Sequence, residues 1–341
     1  MLEINPRSAV DYLKRIGMFP EDAQPTARSL GGGISNQVIM VAWDDGCLVV
    51  KQPREKLNVE MDWPADLRRI HIEADALRTY RRLLEESDLD WASAPEVHHE
   101  DLEEHIIAME CIPSEKTDMW KTELLGGYVD LKVAERLGTL LGKVQFLASK
   151  DPDVRSKFSF KEHFDELRID PYHRTAAGKN PDIAKIILKE ANRVYSEEMT
   201  IVHGDYSPKS VLVNRSGLGA QLWLFDMEVA HWGDPSFDTG FMLNHLFIKS
   251  IHMPELREEF IEAAMRFWEA YDRCVDWDIE AETVSELGCL MLARVDGKSP
   301  IEYLNSDEEV RSLKRISKRS LKEGLKSLQE FAAIARSEGN Q

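Results

Sequence analysis

The chain reads as an α+β protein of two lobes, a small amino-terminal one carrying an antiparallel sheet and a larger, mainly helical one. Before residue 112 the apolar residues cluster in short runs with the two-residue period of strands. Beyond Ile112 they recur at helical spacing. The exception in the second part is a pair of apolar runs, Val211-Leu212-Val213 and Gln221-Leu222-Trp223-Leu224-Phe225, broken by Asn214-Arg215-Ser216-Gly217, which reads as a hairpin. The expected lobes are therefore 1–112 and 113–341, and 341 residues give each enough chain for its own core.

In chain order the pattern predicts a helix over about 6–16, strands at about 26–30, 37–43 and 47–52, a helix at about 65–86, and strands near 95–99 and 105–110. Helices are then expected near 128–149, 160–168, 181–198, 236–250, 254–273, 277–293 and 306–335. Within the last stretches, Arg294 and Asp296 interrupt the apolar periodicity beside Gly297, and they are candidates for lining an acceptor pocket. Ser337 to Gln341 are expected to fray.

The composition, 43% hydrophobic and 30% charged, is that of a globular protein. A formal net charge of −18 repels phosphate backbones and anionic lipid, which argues against nucleic acid or membrane as partner. No apolar run approaches the roughly 18 residues that span a bilayer, so a cytoplasmic location is expected. Cys47, Cys111, Cys274 and Cys289 are widely spaced with no CxxC pair; neither a zinc site nor a disulfide is expected, and the thiols should be reduced. Oligomeric state is left open, with a homodimer compatible.

The most informative segment is Val202-His203-Gly204-Asp205-Tyr206-Ser207-Pro208-Lys209-Ser210, followed by Leu224-Phe225-Asp226-Met227-Glu228. The hairpin between them should bring Asp205 and Asp226 together, an arrangement suited to metal-assisted phosphoryl transfer. Ser210 stands five residues after Asp205, where the catalytic loops of protein kinases place a metal-binding side chain after their base. Asp205 would accept a hydrogen bond from an acceptor hydroxyl and align it. Asp226 and Glu228 share a face if the strand stays extended through Met227, and both would then offer hard oxygens to Mg2+, with Ser210 as a weaker neutral ligand. His203 is expected to pack and brace the loop; Asp238, in the first turn of a helix that Ser236 could cap, is either an ordinary helix-start aspartate or a buried carboxylate that accepts amide hydrogen bonds from that loop.

The glycines of Leu30-Gly31-Gly32-Gly33-Ile34-Ser35-Asn36 are either a plain hairpin turn or a cradle whose amides, with Ser35 and Asn36, approach phosphate. Lys51 closes an apolar strand, and Glu73, beside the Ile70/Ala74/Leu77 stripe of a helix, is its natural ion-pair partner for ATP binding. Glu110-Cys111-Ile112-Pro113 ends a strand, and it is either an interdomain linker or a segment whose free backbone groups at Glu110 and Ile112 meet an adenine edge.

On these residues the chain resembles the aminoglycoside phosphotransferase and choline kinase superfamily, from Leu30 to about Leu304. HGDYSPKSVLV and FDMEVAHWGDPSFD carry the resemblance. It implies a protein-kinase-like fold, transfer of the ATP γ-phosphate to a small-molecule hydroxyl with magnesium, Asp205 as catalytic base, Asp226 as metal ligand and Lys51–Glu73 as nucleotide anchor. Methylthioribose kinases resemble it further, in the glycine loop, in Lys51-Gln52, in Trp63-Pro64 ahead of Arg69 and Glu73, in the serine at 210 and in the DxE of Asp226-Met227-Glu228. The segment 294–300 lacks the paired arginines expected of that pocket, so the acceptor is open among a sugar, an amino alcohol and an aminoglycoside. The alternative reading is a pseudokinase that binds nucleotide and regulates a partner, motivated by Ser210.

Overall fold

The computed structural model describes residues 2–31, 35–57, 63, 65–112, 115–217 and 219–338. Gly32, Gly33, Pro64 and Pro113 lie outside the described residues.

Helix α1 (Pro6–Arg15) begins at a capping box in which Asn5 and Ser8 satisfy each other's backbone amides. An antiparallel sheet of strands β1 (Thr26–Ser29), β2 (Asn36–Trp43), β3 (Gly46–Pro53), β5 (Val97–Asp101) and β6 (Ile106–Glu110) follows, in the order β1-β2-β3-β6-β5. Helix α2 (Arg69–Glu86) and the two-residue strand β4 (Ala92–Ser93) fall between β3 and β5. Alternation along β3 divides its side chains between two cores. Leu48 and Val50 join Ile4, Ala9, Tyr12 and Leu13 of the α1 side, whereas Val49 joins Ile70, Ala74 and Leu77 of α2. Lys51 shares the face of Val49, which turns it toward α2. Burying each large aliphatic chain of that interface stabilises the fold by about 1.5–3 kcal/mol.

Strands β7 (Thr117–Met119), β9 (Val211–Asn214) and β10 (Gln221–Leu224) form a second sheet with β4, ordered β4-β10-β9-β7. Here β9 and β10 are the expected hairpin, in register from Leu224↔Val211 to Gln221↔Asn214. A third, two-stranded sheet pairs β8 (Thr200–Val202) with β11 (His231–Gly233). The helices are α3 (Trp120–Leu125), α4 (Leu131–Ala148), α5 (Pro152–Lys157), α6 (Glu162–Phe164), α7 (Thr175–Lys179), α8 (Ala184–Ser196), α9 (Pro235–His252), α10 (Arg257–Asp272), α11 (Glu280–Asp296), α12 (Asp307–Glu323) and α13 (Leu328–Glu338). Residues Asp165–Arg174 between α6 and α7 are wound as a π-helix containing Pro171. Helices α4 and α10 meet at glycines: a Cβ on Gly138 would lie 2.0 Å from the Phe267 carbonyl oxygen, and one on Gly142 would lie 2.8 Å from that of Tyr271. Among the described residues no helix is long and apolar enough to cross a membrane.

Four expectations are corrected here. Cys47 and Cys111 form a disulfide, because antiparallel pairing of β3 with β6 brings their Cα atoms to 5.5 Å although they are 64 positions apart in sequence; Cys274 and Cys289 are free. The helix expected over 306–335 is two, since Gly324 at φ 64° ends α12 in the left-handed conformation a Cβ disfavours. Helix α11 runs unbroken through Arg294 and Asp296, so their polarity marks buried bonds rather than a break. The cap of α9 is Asp234, whose carboxylate accepts from the Ser236 amide; Ser236 lies inside the helix.

Candidate active site

The loop between β8 and β9 carries Asp205, and the end of β10 carries Asp226. Gly204 makes the first turn at φ 76°, and a Cβ there would lie 2.7 Å from the Val229 carbonyl oxygen. Asp238 holds the loop from α9, its carboxylate accepting from the His203 amide at 2.7 Å, the Gly204 amide at 3.0 Å and Gln145 Nε2 at 3.2 Å. Burial pushes Asp238 up to about 7 against those amides. His203 is fully buried, packed edge-on to Tyr80, and its Nδ1 accepts from the Asp205 amide at 3.2 Å. Burial drives its pKa down to about 4, so the ring is neutral and braces rather than titrates.

Asp205 is 4% exposed, and its two oxygens differ. Oδ2 faces Arg168 Nη2 at 3.0 Å and Lys209 Nζ at 2.7 Å, whereas Oδ1 is buried without a hydrogen-bond partner. Burial alone would raise this carboxyl, but Lys209 and Arg168 outweigh it and hold it below the usual range. Lys209 Nζ also stands 3.8 Å from Asp226 Oδ2, which ties the two aspartates into one cluster.

Asp226 Oδ1 lies 2.7 Å from Lys51 Nζ, and Lys51 also contacts the Glu73 carboxylate at 2.7 Å. The expected Lys51–Glu73 pair is thus present, with Asp226 as a third member. Despite burial, Lys51 and Lys209 hold Asp226 well below its ordinary value, while Asp226 and Glu73 keep Lys51 charged. Burial pushes Glu73 up to about 7 even beside that ammonium.

Glu228 departs from expectation. Strand β10 ends at Leu224, and Asp226 adopts φ 68°, so the extended geometry that would align Asp226 with Glu228 is absent. Glu228 instead turns to the small sheet. Its Oε2 faces Arg69 Nε at 3.0 Å and accepts from Asn36 Nδ2 at 2.9 Å. Asn36, expected to face phosphate, spends its amide on Glu228 and on the Ser35 hydroxyl at 2.9 Å, while the Ser35 carbonyl accepts from Arg69 at 2.7 Å. Ser210 ends the short 3₁₀ turn that leads into β9, and its hydroxyl is buried and unpartnered.

Of the other candidates, the Glu110 carboxylate is held by Arg81 at 3.2 Å and by the Glu96 amide at 3.1 Å, and Ile112 lies in irregular chain after β6. Arg294 Nη1 donates to Tyr172 OH at 3.0 Å and to the Ser299 carbonyl at 2.7 Å, with Nε buried and unpartnered. Asp296 is a packing residue, bound to Asn180 at 3.0 Å and Lys314 at 2.8 Å, which corrects its assignment to a pocket. Sequence reasoning missed Arg168, Lys209 and Arg69. Arg168 ends the helix expected at 160–168, but the structure winds Asp165–Arg174 as a π-helix, so a 3.6-residue period does not give the side on which it emerges; Lys209 follows Asp205 by four, and that spacing was available to be read.

Among the described residues no group of three or more His, Cys, Asp and Glu is spaced to hold a metal ion. The oxygens that fit a hard cation are the Asp226 carboxylate and the orphaned Ser210 hydroxyl, both oxygen donors of the kind Mg2+ takes.

Residues 26–278 match the model of the "Phosphotransferase enzyme family". A methylthioribose kinase of Bacillus cereus is 22% identical over 93% of this chain and 90% of its own length. A methylthioribose kinase of Pectobacterium atrosepticum is 25% identical over 77% and 72%, and a 4-hydroxytryptamine kinase of Psilocybe cyanescens 23% over 79% and 80%. Among solved structures, a microcompartment-associated aminopropanol kinase superposes with TM-score 0.57 at 14% identity, covering 94% of this chain and 99% of that one. An amicoumacin kinase solved with AMP-PNP and Ca2+ gives 0.56, also at 14% identity, covering 94% and 96%. These likenesses establish the two-lobed, kinase-like α+β fold.

Proposed function

Because the chain belongs to the phosphotransferase enzyme family, we propose that it is an ATP- and magnesium-dependent kinase that phosphorylates a hydroxyl of a small molecule. The observation that carries this reading is the single cluster Glu73–Lys51–Asp226–Lys209–Asp205, which joins the small sheet to the catalytic hairpin. The relatives named as methylthioribose, 4-hydroxytryptamine and aminopropanol kinases support a small alcohol as acceptor.

In this reading Asp205 Oδ1 receives the acceptor hydroxyl. Its partner oxygen is fixed by Arg168 and Lys209, so the free one is oriented, and the depressed pKa keeps it an acceptor at neutral pH. A carboxylate this weakly basic aligns the hydroxyl more than it removes the proton, which is enough where transfer depends on positioning and charge. Lys51, steadied by Glu73, pairs with nucleotide phosphates in place of Asp226. Asp226 and Ser210 would hold magnesium, which when bound neutralises charge on the transferring phosphoryl group. Arg69 and Asn36 fix Glu228 between the small sheet and the segment that follows Asp226. Phosphate contacts at Gly32 and Gly33, base contacts at Glu110 and Ile112, and a location in the cytoplasm belong to the same proposal.

The test is ADP release with Mg2+ and a panel of sugars and amino alcohols. Acceptor-dependent release is expected; nucleotide binding without turnover on any alcohol would instead make the chain a nucleotide-binding regulator.

A further inference from the structure

Beyond the Asp205–Arg168 pair the positive charge continues at Arg294 and Lys249, neither with a carboxylate at ion-pair distance among the described residues. Arg168 and Arg294 flank one ring, their guanidinium carbons 5.9 and 5.8 Å from the centre of Tyr172. Burial would raise the Tyr172 hydroxyl, yet these two cations hold it below its ordinary value. Helix α9 runs past them. Asp238, Phe241, His245 and Lys249 recur at three- and four-residue spacing along one side of it, from the catalytic loop to Tyr303.

Lys249 is fully buried and has no carboxylate partner among the described residues. Its ammonium reaches the His245 carbonyl at 3.4 Å and Tyr303 OH at 3.3 Å. Burial, then Lys121 and Arg294, push it down to about 7. His245, 5% exposed, has an unpartnered Nε2, and Arg294 an unpartnered Nε, both buried. The carboxylates facing this cluster are Asp205, already shared by Arg168 and Lys209, and Glu302, paired with Lys121 at the surface. A buried ammonium left without a counter-ion costs stability and tends to give up its proton, and an anionic ligand restores the charge.

We propose that Lys249, Arg294 and His245 form an anion subsite, and that the acceptor alcohol carries a carboxylate or phosphate group held there while its hydroxyl meets Asp205. This rests on the kinase reading for the second contact only. A cationic amino alcohol would meet like charge along this wall, and a neutral sugar would leave the buried ammonium uncompensated. Lys249 is fully buried with the Tyr303 hydroxyl 3.3 Å from its amine, so a bound anion would have to take the place of that hydroxyl.

The experiment compares ribonate, ribose 5-phosphate, ribose and ethanolamine, by calorimetric binding and as acceptors in the ADP-release assay, in the wild type and in Lys249→Met. The carboxylate and phosphate arms decide which anion is taken. Expected is binding of at least one anionic probe that weakens about tenfold or more in Lys249→Met, with kcat/KM favouring that probe over ribose by a similar factor and the KM for ATP unchanged. Lys249→Gln, closer in polarity, guards against a packing defect, and both variants are checked for a cooperative thermal transition. Equal binding by wild type and both variants, or preference for ribose or ethanolamine, overturns the subsite and leaves the kinase reading standing. Lys249-dependent anion binding without transfer to any alcohol upholds the subsite and overturns the kinase reading.

Discussion

The cations on the two sides of Asp205 are treated differently. Toward the small sheet each is matched: Lys51 by Glu73 and Asp226, and Arg69 by Glu228, with Asn36 completing the set. Toward α9 and α11, Arg294 and Lys249 find hydroxyls, carbonyls and the rings of Tyr172 and Tyr303, with no carboxylate at ion-pair distance among the described residues. The first cluster is closed on itself, and in the proposed kinase reading it would exchange partners with a nucleotide's phosphates. The second awaits its negative charge. A matched cluster stabilises the fold before any ligand arrives; an unmatched one stabilises only the complex.

The comparison can be broken at its centre. Asp205→Asn should lower kcat by about 10² to 10⁴-fold while leaving nucleotide affinity nearly unchanged, measured by steady-state kinetics and calorimetry. Equal loss of binding and turnover would mean the residue organises the nucleotide side instead. On the matched side, Arg69→Met strands Glu228, and chemical denaturation should show a loss of about 3–5 kcal/mol. On the unmatched side, Lys249→Met strands no partner, and the same measurement should show a gain of about 1 kcal/mol. A loss there as large as that of Arg69→Met would reveal an internal counter-ion and erase the distinction.

A further effect is expected from pH. His203 is normally half-protonated near 6.5 and is held to about 4 in the fold, so its contribution is complete above about 6.5 and disappears as pH falls through 4. The melting temperature should therefore decline between these values, and His203→Asn should flatten that part of the curve.

How much of this could be read beforehand depends on distance along the chain. The small sheet was legible because alternation along β3 also fixes the side on which Lys51 emerges, and helical spacing places Glu73 opposite it. The hairpin that approximates Asp205 and Asp226 is a local object, set by two apolar runs and a turn. Asp238 was legible as a residue poised to hold the loop. Glu228 was misread because nothing in Phe225-Asp226-Met227 announces that the backbone leaves the extended region, and Asp296 because a buried polar residue on a helix resembles a pocket residue until its partners Asn180 and Lys314 are known. Cys47 and Cys111 met through strand pairing, which no spacing rule for cysteines encodes.

Asp226 stands at φ 68°, a conformation that suits glycine and penalises any residue with a Cβ. The site thus places this acidic side chain where the polypeptide would be more relaxed without one. Charge offsets that strain: Asp226→Gly would relax the backbone yet leave Lys51 with Glu73 alone and Lys209 with Asp205 alone, so the ion pairs of this one carboxylate are what hold the chain in its left-handed bend.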